Sequence, residues 1–354
     1  MYKSVIRPIL FCMPPEAMHH FVVTILKIAG IIPGGKWFLR KCFTVKHPVL
    51  EREVFGMKFP NPVGLAAGFD KNAQLYNELS CFGFGFIEVG TITPKAQMGN
   101  PKPRIFRLVQ DSAVINRMGF NNNGVEKAVE NLKKHIHKKY SPIIGGNLGK
   151  NTLTPNENAP ADYLSLFRRL YDYVDYFVIN VSCPNVANLN KIQGESLKAI
   201  IDGVVDFRKG QGQYRPILLK ISPDLNTEQI DDAIRIMKEC NLDGIVATNT
   251  TTSREGLVTD NQTVKNIGNG GLSGKPLTKR AVEIVRYVHE KTEGQYPIIG
   301  VGGIMTEDDA VAMLNAGASL IQVYTGFIYE GPMFVKNICL RLIREAATKK
   351  KSNE

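Results

Sequence analysis

Cysteine is scarce in this chain, and what there is lies scattered. Cys12, Cys42, Cys81, Cys183, Cys240 and Cys339 show no C-x-x-C spacing and no neighbouring histidine cluster. That excludes a zinc module and a disulfide framework, and it fits a reducing, cytoplasmic setting. No segment approaches the roughly 20 apolar residues that span a bilayer. The opening Met1-Tyr2-Lys3-Ser4 leads into no signal peptide with a small-residue cleavage site. The expectation is a protein that neither crosses the membrane nor is exported. Basic-aromatic interleaving of the kind that grips single strands is missing too, so the net charge of +11 is not read as a nucleic-acid footprint. What is present is ample apolar material: 354 residues, 44% hydrophobic, suffice for one large α/β domain with an appendage or for two ordinary domains.

The richest stretch begins as an apolar run, Tyr176-Phe177-Val178-Ile179, and turns abruptly into Asn180-Val181-Ser182-Cys183-Pro184-Asn185. Polar side chains at the end of a buried strand cost about 1–3 kcal/mol each when unpartnered, so this cluster is read as facing a ligand. The Cys183 thiol can serve as nucleophile or proton acceptor, and Asn180 and Asn185 can both donate to and accept from a flat, amide-like substrate. A turn around a core cysteine accounts for the same residues equally well.

Short apolar, β-branched runs punctuated by Gly or Asn fall at 62–68, 86–90, 142–148, 176–181, 216–221, 244–248, 297–302 and 320–324. Helical periods separate most of them, as at 228–240, 278–291 and 307–316. Strands too apolar for a wet face, alternating with helices, predict a parallel sheet covered by helices, and eight such units close into a (β/α)8 TIM barrel. An open doubly wound sheet is the alternative. Polar residues recur at the strand ends (Lys71, Thr91, Asn147, Asn180, Lys220, Asn249, Gly303, Thr325), where barrels carry their active sites. Extra elements are expected in the long loops 95–123 and 251–274.

Residues 1–46 read differently from the barrel, 47–348, and from a basic, solvated tail, 349–354. Apolar residues at Tyr2, Val5, Ile6, Ile9, Leu10 and Met13, then at Met18, Phe21, Val22, Ile25, Ile28 and Ala29, predict two short amphipathic helices. Lys3, Arg7, Lys27, Lys36, Arg40, Lys41 and Lys46 stand there against one acid, Glu16. Such helices suit an anionic membrane surface, or a lid packed on the barrel.

Gly300-Val301-Gly302-Gly303-Ile304 and Tyr324-Thr325-Gly326-Phe327 follow the seventh and eighth runs, where barrels hold phosphate on backbone N–H groups. Tight turns explain each alone. Gly271-Leu272-Ser273-Gly274 reads as a further flexible loop within reach. Lys220 closes an apolar strand, and an ammonium pointing into the barrel mouth needs an anion, for which a reduced flavin is suitable.

Longer motifs carry a family resemblance. Ala66-Ala67-Gly68-Phe69-Asp70-Lys71, Glu88-Val89-Gly90-Thr91-Ile92-Thr93-Pro94, Gly99-Asn100-Pro101-Lys102-Pro103-Arg104, Ile115-Asn116-Arg117-Met118-Gly119-Phe120-Asn121, Ala247-Thr248-Asn249-Thr250 and Gly300-Val301-Gly302-Gly303-Ile304 closely resemble dihydroorotate dehydrogenase, from about residue 54 to the last helix. The N-terminal extension is similar to that of the class 2, membrane-associated, quinone-using members. The resemblance implies FMN in a (β/α)8 barrel and oxidation of dihydroorotate to orotate in pyrimidine synthesis. By the same resemblance Ala67, Gly68, Phe69, Asp70, Lys71, Thr91, Asn147, Asn180, Lys220, Thr248, Gly274, Gly303, Tyr324 and Thr325 surround FMN. Lys71, Asn116, Arg117, Met118, Gly119, Phe120, Asn180, Asn185, Asn249 and Thr250 hold the pyrimidine. The expected chemistry has a base take the C5 proton on one face while the C6 hydride passes to the flavin on the other, with Lys220 stabilising the reduced ring.

Cys183 departs from the class 2 pattern, which usually has serine there; cysteine is typical of class 1. A thiol, with an ordinary pKa of about 8.5, needs less help as a base than an alcohol. Strand alternation sends the adjacent Ser182 to the opposite face, so the base is assigned to Cys183. The resemblance further implies a membrane quinone entering between the N-terminal helices, with His19 near that entrance as a contact or as a plain helix-surface residue. The location that follows is peripheral, on the cytoplasmic side of the cell membrane. A soluble class 1-like enzyme using fumarate or NAD, and a non-catalytic FMN- or orotate-binding barrel, are the alternatives.

Overall fold

In the computed structural model, which describes residues 2–134, 142–185, 192 and 194–352, the chain opens with a helical hood. It consists of one wide turn at Tyr2–Ile6 followed by α1 (Arg7–Phe11), α2 (Pro15–Ile31) and α3 (Gly35–Phe43). The third helix went unread because the apolar period breaks at the turn around Gly34, whose left-handed backbone (φ 80°) begins it. Next come the hairpin β1 (Arg52–Val54) and β2 (Met57–Phe59), then β3 (Val63–Leu65), β4 (Phe86–Ile92), β5 (Ile105–Leu108) and β6 (Ala113–Asn116). Beyond them lie β7 (Ile143–Leu148), β8 (Tyr176–Asn180), β9 (Ile217–Ile221), β10 (Gly244–Ala247), β11 (Gly271–Gly274), β12 (Ile298–Val301) and β13 (Leu320–Val323). The strands β3, β4, β7, β8, β9, β10, β12 and β13 close in chain order into a parallel barrel. These are the eight runs read from the sequence, so the open-sheet alternative is excluded. The helices expected at 228–240, 278–291 and 307–316 are Thr227–Glu239, Thr278–Lys291 and Glu307–Asn315.

The barrel interior is layered. Its lower part is apolar, with Phe86, Tyr176, Val178, Leu218, Val246, Ile299 and Leu320 packed together, and Val54 and Phe59 of the hairpin close the floor. Two glycines make room for the rings. Gly64 stands opposite Phe86 and Gly145 opposite Tyr176 in the strand register. A Cβ at either would come within 2.4 or 2.2 Å of the ring. Above this layer the buried positions turn polar, with Glu88, Asn147, Asn180, Lys220 and Gln322.

The long loops do contain extra elements, and they join: β5, β6 and β11 form a small antiparallel sheet. Gly271-Leu272-Ser273-Gly274 is therefore a strand and not a flexible loop. Four residues with two glycines carry little strand signal of their own, and the pairing partner β6 comes from another part of the barrel. The last helix, Phe334–Ser352, runs on into the tail, with Lys349 Nζ 3.8 Å from Glu345 and its side chain 62% exposed, and 353–354 lie outside the described residues.

Candidate active site

The polar layer is built from strand ends. Glu88 on β4, fully buried, accepts from Asn147 Nδ2 on β7 at 2.7 Å, from Lys220 Nζ on β9 at 3.4 Å and from Gln322 Nε2 on β13 at 2.6 Å. Three donors compensate one buried carboxylate, as such a charge requires. Thr91 donates to Asn147 Oδ1 at 2.6 Å, and Asn180 Nδ2 reaches both Thr91 Oγ1 and Asn147 Oδ1 at 3.1 Å. Asn249 Nδ2 completes the chain onto Asn180 Oδ1 at 3.2 Å and Ser182 Oγ at 3.0 Å. Each amide is thereby fixed in orientation before any ligand arrives.

Over this layer opens a cavity of about 1060 Å³. Of the residues expected around a flavin, Ala67, Gly68, Phe69, Lys71, Thr91, Asn180, Lys220, Thr248, Gly274, Gly303, Tyr324 and Thr325 line it. So do Cys183 and the expected pyrimidine contacts Asn116, Met118, Gly119, Phe120, Asn185, Asn249 and Thr250. Asn185 Nδ2 donates to Asn116 Oδ1 at 3.1 Å, bringing two distant loops together. Ser182, with its hydroxyl on the Asn180 and Asn249 amides, does not line the cavity. Lys71 donates to the Gly68 carbonyl at 2.8 Å, and burial, reinforced by the Arg104 charge, pushes its pKa down to about 8.

Three expected side chains are committed elsewhere. The Asp70 carboxylate accepts from the N–H groups of Gln74 and Leu75, at 2.9 and 2.7 Å, and caps the turn after β3. Asn147 lies beneath the cavity wall, where it orients Asn180 and Glu88. The Arg117 guanidinium turns away, donating to the carbonyls of Ile267 and, at 3.1 Å, Pro103, and lying 4.7 Å over the Phe106 ring. A strand-end or loop position in a sequence fixes where the backbone goes, not which way a long side chain leaves it.

Glu88 and Gln322 escaped sequence reasoning, although a glutamate inside Phe86-Ile87-Glu88-Val89 is itself a signal of a partnered charge. Gln97 and Asn100 also escaped. Gln97 Nε2 donates to the Gly119 and Phe120 carbonyls at 3.0 and 3.1 Å, and Asn100 Nδ2 to the Arg117 carbonyl at 2.9 Å, so both brace the 116–120 loop through its carbonyls.

The cavity continues between the hood helices, past Pro15, Met18, His19, Val22, Val23 and Leu26. His19 faces inward and is no plain surface residue: its ring meets Phe69 edge-on at 5.5 Å, and burial pushes its pKa down to about 4, so it is neutral near pH 7. Met18 and Val23 pack toward the barrel, while Phe21, Ile25 and Ile28 stay 51, 46 and 55% exposed. Part of the basic excess is partnered by the barrel: Lys36 pairs with Glu78 at 2.6 Å, Lys3 pairs with Glu330, and Lys27 donates to Gln74 at 2.9 Å. No single helix among the described residues is long and apolar enough to cross a membrane.

Comparison with known proteins agrees with this geometry along nearly the whole chain. Residues 49–345 match the family described as dihydroorotate dehydrogenase. A dihydroorotate dehydrogenase (quinone) from Christiangramia forsetii is 55% identical over 346 residues, 98% of this chain and 99% of that one. One of the same description from Thermosynechococcus vestitus is 45% identical, covering 98% and 97%. The crystal structure of DHODH from Eimeria tenella in complex with ferulenol superposes with a TM-score of 0.83 at 35% identity, over 95% of this chain and 92% of that one. A ligand-free form from the same organism gives 0.81 at 36% identity, over 93% and 94%. With a closed eight-stranded barrel, a polar mouth and relatives of this closeness, the chain belongs to the dihydroorotate dehydrogenase family.

Proposed function

We propose that this chain oxidises dihydroorotate to orotate in pyrimidine biosynthesis and passes the two electrons through FMN to a membrane quinone. The observation that carries the reading is one continuous cavity that holds Cys183, Lys71 and the amides of Asn116, Asn180, Asn185 and Asn249 at one end and opens between the hood helices at the other.

The residues present fit a flavin. The buried Lys220 ammonium, the Asn180 amide and the Thr91 hydroxyl meet at the cavity wall, a cation with hydrogen-bonding groups beside it, which is the donor set that an anionic ring requires. Gly274, Gly303 and Thr325 gather where the seventh and eighth barrel strands end, the place that suits a phosphate. Bound there, FMN supplies a two-electron acceptor. Lys220, braced by Glu88, holds a positive charge at the wall where reduction adds negative charge.

The other residues act on the pyrimidine. Lys71 offers a cation to its carboxylate. The carbonyls of Met118, Gly119 and Phe120 are held by Asn100 and Gln97, whereas no acceptor among the described residues takes the N–H groups of those three. A row of N–H donors on the cavity wall suits the same anion. The asparagine amides match the N–H and C=O edge of the ring, and Cys183 removes the C5 proton as general base. Neutral His19 is placed to contact quinone. The apolar outer face of the hood, with Phe21, Ile25, Ile28, Trp37 and Phe38, rests on the cytoplasmic side of the membrane as a peripheral anchor.

The test compares acceptors on purified, FMN-loaded enzyme. A short-chain quinone is expected to support dihydroorotate oxidation faster than fumarate or NAD. Preference for fumarate or NAD would instead place the chain with the soluble enzymes that Cys183 resembles. Orotate binding without turnover would leave a binding barrel.

A further inference from the structure

We infer that Glu16, on the hood helix α2, is a positioning residue for the pyrimidine: acting through Arg104, it fixes the segment that holds the carbonyls of the 116–120 loop, so that hood docking and substrate binding are linked. The inference rests on reading that loop as a pyrimidine contact.

Arg104 is buried just before β5, and its guanidinium works in two directions. Nε and Nη2 donate to the Glu16 carboxylate, with contacts of 3.3 and 2.7 Å. Nη1 donates to the carbonyls of Met98 and Asn100 at 2.6 and 2.9 Å. The Arg104 carbonyl in turn accepts from the Arg117 N–H at 2.9 Å. Asn100, clamped in this way, gives its side-chain amide to the Arg117 and Asn185 carbonyls at 2.9 and 3.2 Å and its backbone N–H to Met118 at 3.1 Å. Gln97 holds the next two carbonyls, of Gly119 and Phe120. The 97–104 segment, whose Gln97, Met98, Lys102 and Arg104 themselves reach the cavity wall, therefore grips four successive carbonyls of the 116–120 loop beside it.

Glu16 joins this segment to the hood, and it is the hood's sole acid within residues 1–46. A buried guanidinium depends on its carboxylate partner, because separating them leaves an uncompensated charge in an apolar setting. When α2 lifts, Arg104 follows its charge toward water, and the Met98 and Asn100 carbonyls lose their donor. The segment that grips the substrate loop then slackens. The linkage is reciprocal: a pyrimidine that orders the loop favours a docked α2. Arg107 strengthens the same seam by donating to the Met13 carbonyl at 2.8 Å.

The test uses the full-length, FMN-loaded enzyme with dichlorophenolindophenol as acceptor, which takes the quinone entrance out of the measurement. Glu16→Gln is expected to raise both the KM for dihydroorotate and the Kd for orotate by about fivefold or more, with kcat changed by less than about twofold. Glu16→Asp, which keeps the charge, should fall in between. An unchanged orotate Kd and an unchanged dihydroorotate KM in Glu16→Gln would overturn the inference, and a quinone KM raised in a parallel assay with a short-chain quinone would then assign Glu16 to the quinone entrance alone. Should Glu16→Gln fail to fold, Arg104→Lys carries the same expectation, because one ammonium cannot serve Glu16 and both carbonyls. A wild-type enzyme that neither binds orotate nor oxidises dihydroorotate would defeat the functional reading and this linkage with it, whereas an active wild type with an unaffected Glu16→Gln variant would defeat the linkage alone.

Discussion

Lys71 shows how much a single side chain owes to its surroundings. Burial and the nearby Arg104 charge lower its pKa to about 8, close to physiological pH. A lysine depressed in this way loses its proton as pH rises through that value, so the KM for dihydroorotate should stay level below pH 8 and climb above it. Steady-state assays across pH 6 to 10 would show it. Removing the cation in Lys71→Ala should raise the same KM about ten- to hundredfold, the worth of a charge-assisted hydrogen bond. At Cys183 the expectation concerns rate. Cys183→Ser replaces a thiol by a far weaker acid, so flavin reduction by dihydroorotate below pH 8 should slow by about 100-fold. Rapid mixing with dihydroorotate, followed at the flavin absorbance, measures that step, and full activity in the acidic range would remove Cys183 from the role. These residues were legible in the sequence because their types are rare at strand ends. Asp70, Asn147 and Arg117 were equally legible as positions, yet their side chains leave the backbone toward Gln74, Glu88 and Ile267.

At the scale of elements, the barrel strands could be read because burial on both faces leaves an unbroken apolar run bounded by turn residues. The small sheet could not, since β11 is four residues long and pairs with β6, far from it along the chain. Packing inside the strands also has a local logic. Gly145→Ala would drive a methyl group into the Tyr176 ring, which is confined by Phe55 and Phe86 at centroid distances of 6.5 and 6.4 Å. A destabilisation of about 1–3 kcal/mol is expected, measurable by urea unfolding. The hood helix α2 is apolar on two sides, one packed on the barrel and one exposed. Replacing Ile25 and Ile28 together by Glu should abolish binding to lipid vesicles and leave turnover with a water-soluble dye intact. Vesicle sedimentation reads the first and a colorimetric assay the second. Fewer of the hood's lysines are left for an anionic surface than the basic count implied, because Lys3, Lys27 and Lys36 are engaged with the barrel.

For the whole molecule, the cavity unites parts that are far apart in sequence: strand ends, the small sheet and the hood all contribute walls. A ligand filling it stabilises the native state by mass action. FMN at about 100 times its dissociation constant should add about 2.7 kcal/mol, so stripped protein should melt lower and recover as FMN is titrated back. Differential scanning fluorimetry would follow it. The sequence by itself determined the barrel, because alternating apolar runs and helical periods admit few closed arrangements. It also determined the types of reactive side chain at the mouth, because a thiol, lysines and amides at strand ends cannot be left buried without partners. Only the tertiary structure decided which of those side chains face the cavity, that Glu88 anchors the polar layer, and that Glu16 reaches Arg104. Those outcomes depend on contacts between residues distant along the chain, and such contacts are set by how the elements pack, which no local pattern encodes.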